Sequence, residues 1–352
     1  MSKRTNIFIT GMGRSGTTLI EKLLSNHDKI DILSQPFPLL FIESKKRFLR
    51  SIGESGYFVL NQCMEDRCYS QEQFDEFIDT IHLSCSELFG LFSAMGSYSG
   101  QCTKHNVLPT INNDKKIIGL KNLYLESIEL FDVADKLFVG SKEIMCEEFL
   151  PYLCDNGFKC LIIIRDPRDV VASVNYPIGH KYLGSKKPTL FIVKTWRKSI
   201  EYIRYLSGQK NFLFIRYEDL VCNPYFVLDK ITNFLELEPF KPNQFEKGIS
   251  DRNGELWKAN SSFHSKNWFI SPNSVGKYMD VLSGEEIKYI ETVCFCDMKM
   301  MQYGLSSIPD RNIICDFRDH DLEYSKHLDR DYSSLPENIQ KEILRFESLK
   351  AC

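Results

Sequence analysis

Between Asn6 and His27 the chain reads NIFITGMGRSGTTLIEKLLSNH, and no other stretch constrains the fold so tightly. Ile7-Phe8-Ile9 has the apolar, β-branched run of a buried strand, and Thr17 to Leu24 has helical spacing. Gly11 to Gly16 form the turn between them. Strand, glycine turn and helix in this order gather backbone N–H groups and the positive end of a helix dipole around an anion. The frame is that of a G-x-x-x-x-G-K-[ST] phosphate loop, yet Thr17 stands where the lysine for the β and γ phosphates belongs. Thr17 and Thr18 add hydroxyl donors, and the cation lies inside the loop, at Arg14. Gly13, Arg14, Ser15, Gly16, Thr17 and Thr18 are therefore expected to cradle a 5′-phosphate without a metal-bound triphosphate. An ordinary glycine turn in a βα unit is the plain alternative.

Further strands are expected at Lys29–Leu33, Lys115–Leu120, Lys159–Ile164 and Asn211–Ile215. Leu161-Ile162-Ile163-Ile164 is an unbroken apolar run, as in a strand buried on both faces of a parallel sheet. Helices fall between the strands. Ser70 with Gln73 and Ser283 with Glu286 read as capping boxes, residues 190–206 have an apolar stripe, and Asn223-Pro224 reads as an N-cap and first turn. This alternation predicts an α/β fold: a parallel central sheet with helices on both faces. Residues 44–114 form a mostly helical insertion after the second strand, the expected place for an acceptor pocket or lid. The domain is expected over residues 1–305, followed by a polar tail over 306–352 with one helix, Leu335–Leu349.

The chain has 352 residues and a net charge of −3, so nothing in its bulk points to nucleic acid or an anionic membrane. No apolar run is long enough for a membrane span. Residues Met1 to Thr5 lead towards a strand with no apolar signal core, which predicts a cytoplasmic location. The twelve cysteines are scattered without C-x-x-C pairs, so reduced thiols and no metal site are expected. The sequence does not indicate an oligomeric state.

A second motif, CLIIIRDPRDVVASVNY, puts Arg165 at the carboxyl end of a strand, where ligands sit in parallel sheets. Arg165 offers a forked donor to a phosphate, and Ser173 follows about two helical turns on. Pairing of Arg165 with Asp166 or Asp169 in a structural ion pair is equally open.

GRSGTTL, RDPRDVVAS and RYEDLVCNP, in this order and spacing over about Asn6 to Gly304, resemble the sulfotransferases that use 3′-phosphoadenosine 5′-phosphosulfate. The resemblance implies the P-loop-like sulfotransferase fold, with that nucleotide as co-substrate. It implies 5′-phosphosulfate binding by the first loop and 3′-phosphate binding by Arg165 and Ser173. Arg14 would act on the bridging oxygen as charge develops there, and Lys142 in VGSKEIM resembles the second cation. Tyr217 resembles a residue packing by the adenine, although a core tyrosine fits as well. SPNSVGKYMDVL resembles the late loop that closes over the nucleotide, which makes Ser271, Asn273, Ser274 and Lys277 candidates.

One position departs from the family. Many relatives carry a glutamate as general base after the second strand, whereas ILSQPFP has Gln35 there. An amide cannot accept the acceptor's proton, so Gln35 is left an acceptor-side positioning role. His105 is the first replacement base to consider and His264 the next. The expected acceptor is a hydroxyl or amine of a small molecule or carbohydrate. A nucleotide-dependent kinase or NTPase of the same fold, and a non-catalytic nucleotide-binding module, are the competing functions.

Overall fold

The computed structural model describes residues 4–54, 67–98, 116–131, 136–177, 186–241, 244–251, 254–257, 270–319 and 336–349. They form seven strands: β1 (Thr5–Thr10), β2 (Ile30–Ser34), β3 (His82–Ser84), β4 (Lys116–Ile118), β5 (Phe138–Lys142), β6 (Lys159–Ile164) and β7 (Phe212–Arg216). Five of them make the central sheet in the order β2-β5-β1-β6-β7, with every neighbouring pair parallel.

The sheet separates two apolar cores. In β1, Phe8 faces one core while Ile7 and Ile9 face the other. In β6, Ile162 and Ile164 join Phe8, and Leu161 and Ile163 join Ile7. Both faces are covered, which is why these strands read as continuous apolar runs rather than alternating ones.

The strand expected at Lys115–Leu120 is not in this sheet. Its core is β4, which pairs antiparallel with β3 in a separate two-stranded ribbon. The reason is its pattern: Lys116 and Ile118 are exposed and only Ile117 is buried, so β4 can line one face but cannot sit inside a sheet covered on both. The sheet's remaining strand is β5, whose centre is Gly140-Ser141 and which therefore lacks the apolar signature of its neighbours. The segment between β2 and β5 includes the helices Pro38–Ser51, Gln71–Thr80, Cys85–Tyr98 and Leu120–Glu129 together with the ribbon. Both expected capping boxes form, at Ser70 with Gln73 and at Ser283 with Glu286. Asn223 precedes Pro224 at a helix start but makes no side-chain cap.

A buried charge cluster joins this segment to the rest. Glu148 is fully buried between Lys45 and Lys198, whose Nζ lies 2.9 Å from Glu148 Oε2 and 3.1 Å from Glu147 Oε2. Burial pushes the Glu148 carboxyl up, but Lys198, Lys45 and Arg67 outweigh it and hold the pKa down at about 2. Lys45 also donates to the Met145 carbonyl at 2.6 Å, and the Met145 N–H reaches back to Gly11 O at 3.0 Å.

The segment after residue 305, expected as a polar tail with one helix, carries two described helices, Arg311–Asp316 and Pro336–Leu349. Ile314, Ile343 and Phe346 enter the larger core. Glu342 grips Arg197 with both oxygens, at 2.6 and 2.8 Å, where the two side chains are 3% and 1% exposed.

Removing one partner of a buried pair leaves an uncompensated charge, at a cost of about 3–5 kcal/mol. Glu342→Gln should therefore lower the free energy of unfolding at pH 7 by an amount on that scale in denaturant titration. Burial raises the Glu342 pKa, but Arg197, Lys194 and Arg345 outweigh it and keep the pKa below the ordinary value. The pair's stabilisation is then fully present above the unfolded pKa of about 4.3 and lost as pH falls below it. The gap between wild type and Glu342→Gln should narrow in acid.

Candidate active site

The carboxyl ends of β1, β5 and β6 meet at the loop formed by residues 11–16. Gly11 has φ 147°, and a Cβ there would lie 2.4 Å from the Ile163 carbonyl oxygen of β6. Gly16 has φ 93°, and a Cβ there would lie 2.4 Å from the Tyr217 ring. The first glycine lets the loop lie against the sheet; the second lets it lie against Tyr217. Arg14 takes a left-handed backbone, φ 72°. Ser15 N–H donates to Met12 O at 3.2 Å, and Cys146 N–H donates to Thr10 Oγ1 at 3.1 Å. The helix Thr17–Ser25 starts at Gly16 with no side-chain cap. Its first turn offers N–H groups without intrahelical partners at the loop. The Ser15 hydroxyl is buried and has no hydrogen-bond partner among the described residues.

The second motif closes on the first. Arg14 Nε donates to Ser173 Oγ at 3.0 Å across a separation of 159 residues. Arg165 donates through Nη1 to Arg14 O at 3.3 Å and through Nη2 to Ser274 O, and its guanidinium lies 4.8 Å from the Tyr217 ring centre. The Trp196 indole N–H holds the Arg165 carbonyl at 2.8 Å. Arg165 Nε is buried without a hydrogen-bond partner among the described residues. Of its two possible ion partners, Asp169 is 3.6 Å away, whereas Asp166 pairs with Arg168 at 2.6 Å.

Lys142 ends β5 and is fully buried; its Nζ donates to Gln35 Oε1 at 3.0 Å. Gln35 has a left-handed backbone, φ 49°, and its N–H donates to Lys142 O at 2.8 Å. The amide and the ammonium therefore face one another.

The late loop is only partly gathered in. Ser274 reaches Arg165 through its carbonyl, whereas the Lys277 ammonium turns to Asp280 at 2.9 Å. The Ser271 hydroxyl caps Asn273 N–H at 3.3 Å. His105 and His264 lie outside the described residues.

Two carboxyls in this region had no functional reading of their own from sequence. Asp169 takes the backbone N–H groups of Gly276 and Tyr278, at 2.8 and 2.9 Å. Glu143 takes Phe37 N–H at 2.8 Å, next to the turn that carries Gln35. Burial pushes the Glu143 carboxyl up to about 8, opposed by the Phe37 N–H and by Lys142. The only available signal was the acidic residue beside Lys142, and nothing in the local pattern marks it as buried.

The sulfotransferase domain family matches residues 4–303. The chain belongs to that family. No curated protein matches it. Among solved structures it is similar to the sulfotransferase domain of the curacin biosynthetic pathway, with 20% identity and a TM-score of 0.46 over 87% of this chain and 100% of that one. It is also similar to the sulfotransferase domain of the Synechococcus PCC 7002 olefin synthase, at 18% identity and TM-score 0.49 over 87% and 97%. Mouse sulfotransferase SULT7A1 in complex with PAP aligns at 14% identity and TM-score 0.44 over 84% and 86%. No helix among the described residues is long and apolar enough to cross a membrane.

The raised pKa of Glu143 has a stability consequence. A carboxyl that folding makes harder to ionise stabilises the fold fully below its unfolded pKa of about 4.3, and that contribution is lost as pH rises towards the folded value. Wild-type stability should decline between pH 5 and 8, and Glu143→Gln, which keeps an acceptor for Phe37 N–H, should flatten the decline. Parallel slopes for the two proteins in denaturant titrations across that range would rule this out.

Proposed function

We propose that this sulfotransferase moves a sulfuryl group from 3′-phosphoadenosine 5′-phosphosulfate to a hydroxyl or amine of a small-molecule or carbohydrate acceptor. The reading is carried by one observation: Arg14, Ser173 and Arg165, drawn from two motifs, meet within hydrogen-bonding distance. The residues present fit a ligand with two separate anionic groups. On the 5′ side are the helix start without a side-chain cap and the Ser15 hydroxyl; on the 3′ side is Arg165 Nε; neither polar atom has a hydrogen-bond partner among the described residues. The donor, when bound, supplies the activated sulfur–oxygen bond.

In this reading Gly13 to Thr18 hold the 5′-phosphate through backbone N–H and hydroxyl donors. Arg165 and Ser173 select the 3′-phosphate. Tyr217 packs beneath the nucleotide, and Ser274 and Lys277 belong to the closing loop. Arg14 and Lys142 supply positive charge where the released phosphate oxygen becomes negative, a stabilisation that counts most in the transition state. His105 is the proposed base. Gln35, held by Lys142, orients the acceptor group without taking its proton. No residue role in this scheme calls for a metal, and the proposed location is cytoplasmic.

Calorimetry should show 3′,5′-ADP binding tighter than ATP with magnesium. Arg165→Ala should remove most of that preference, since a charge-assisted contact contributes roughly 1.5–3 kcal/mol. Equal binding of ATP would favour the kinase reading. The acceptor side is probed by Gln35→Glu. A carboxylate at this position should improve sulfation of simple alcohols in a labelled-donor assay read by mass shift. Unchanged kinetics on every acceptor would place Gln35 away from the chemistry.

A further inference from the structure

Among the described residues, Asp169 is the one carboxylate that touches both the arginine strand end and the late loop. It is fully buried, so its charge has to be met by nearby donors. Oδ2 accepts Gly276 N–H at 2.8 Å and lies 3.6 Å from Arg165 Nη2, while Oδ1 accepts Tyr278 N–H at 2.9 Å. The same Arg165 donates to Ser274 O. These bonds close a ring, from Arg165 to Ser274, along the chain to Gly276, through Asp169 and back to Arg165. Its neighbour Arg168 adds a second anchor, stacking 4.3 Å from the Tyr278 ring centre while gripped by Asp166 and by Glu291 at 2.5 Å. Two successive residues of one helix thus hold the late loop, one by its backbone and one by a side chain.

We propose that Asp169 is a positioning residue for recognition of the donor's 3′-phosphate, because it fixes the Arg165 guanidinium and the 274–278 loop as one unit. The inference rests on the donor reading above. Asp169 does not touch the ligand; it acts through Arg165. A phosphate beside Arg165 meets a fork already aimed by Asp169 and a loop already docked, so less ordering is left for binding to drive. An asparagine there keeps one acceptor but turns an NH2 donor towards an N–H or towards the guanidinium, which breaks the ring at one point.

The experiment compares 3′,5′-ADP with 5′-AMP, which lacks the 3′-phosphate, by calorimetry on wild type and Asp169→Asn. The variant should lose about tenfold in affinity for 3′,5′-ADP, the size of one misplaced charge-assisted contact. Its affinity for 5′-AMP should stay close to that of wild type, a split that general loss of structure would not give. Hydrogen exchange at the Gly276 and Tyr278 amides should also speed up. If wild type itself binds the two nucleotides equally, the donor reading fails and the positioning role fails with it. If wild type prefers 3′,5′-ADP and Asp169→Asn keeps the preference, the positioning role alone is overturned. Should the variant not fold, exchange in wild type decides: at equal saturation 3′,5′-ADP must slow those two amides more than 5′-AMP does, and equal protection overturns the proposal.

Discussion

Glu148 has no route to water, and much of the molecule is arranged to neutralise it. Its charge is met by Lys45 from the helix after β2 and by Lys198 from the long helix Thr189–Tyr205. A buried lysine needs a carboxylate of this kind, and Lys198 has a second one in Glu147, 3.1 Å away. The same exchange of charge fixes the backbone behind the phosphate loop, because Lys45 also binds the Met145 carbonyl and Met145 binds Gly11. The segment after β2 is thus wired to the loop floor by charge as well as packed against it.

In the proposed reading, the site uses backbone where a nucleotide kinase would use a lysine and a metal. The loop glycines give up their side chains to bring N–H groups close to the sheet and to Tyr217. The cations then sit around that cradle on three separate elements: Arg14 in the loop, Lys142 at the end of β5 and Arg165 at the end of β6. Each is already engaged, Arg14 with Ser173, Lys142 with Gln35 and Arg165 with two carbonyls. Preorganisation of this kind spares a ligand the cost of fixing long side chains, although the ligand must displace some of these internal partners to form its own bonds.

What the sequence disclosed follows from where each residue gets its partners. The strand–turn–helix of the loop, the apolar run of β6 and both capping boxes are local, and each is read within a few residues of chain. β5 was not legible, because Gly140 and Ser141 interrupt it and its burial comes from β1 and β2 on either side. The strand expected at Lys115–Leu120 does form as β4, but its place in a separate ribbon is not local information, since a short apolar pair resembles a central-sheet strand until its exposed faces are seen. The buried contacts of Asp169 and Glu143 were not legible either. Asp169 accepts two backbone N–H groups and Glu143 one, each from about a hundred residues away, and backbone partners leave no residue type to recognise.

The pair formed by Arg197 and Glu342 is separated by 145 residues. The helix bearing Arg197 also supplies Trp196 to the Arg165 carbonyl and Lys198 to Glu148, so it lies at the centre of both the site and the charge cluster. During synthesis this helix is complete long before its last carboxylate exists. Burying the Arg197 guanidinium without its carboxylate is unfavourable, so sealing this side of the core depends on residues 336–349. The family match ends at residue 303, but the carboxylate that neutralises Arg197 and the helix that carries it lie beyond it.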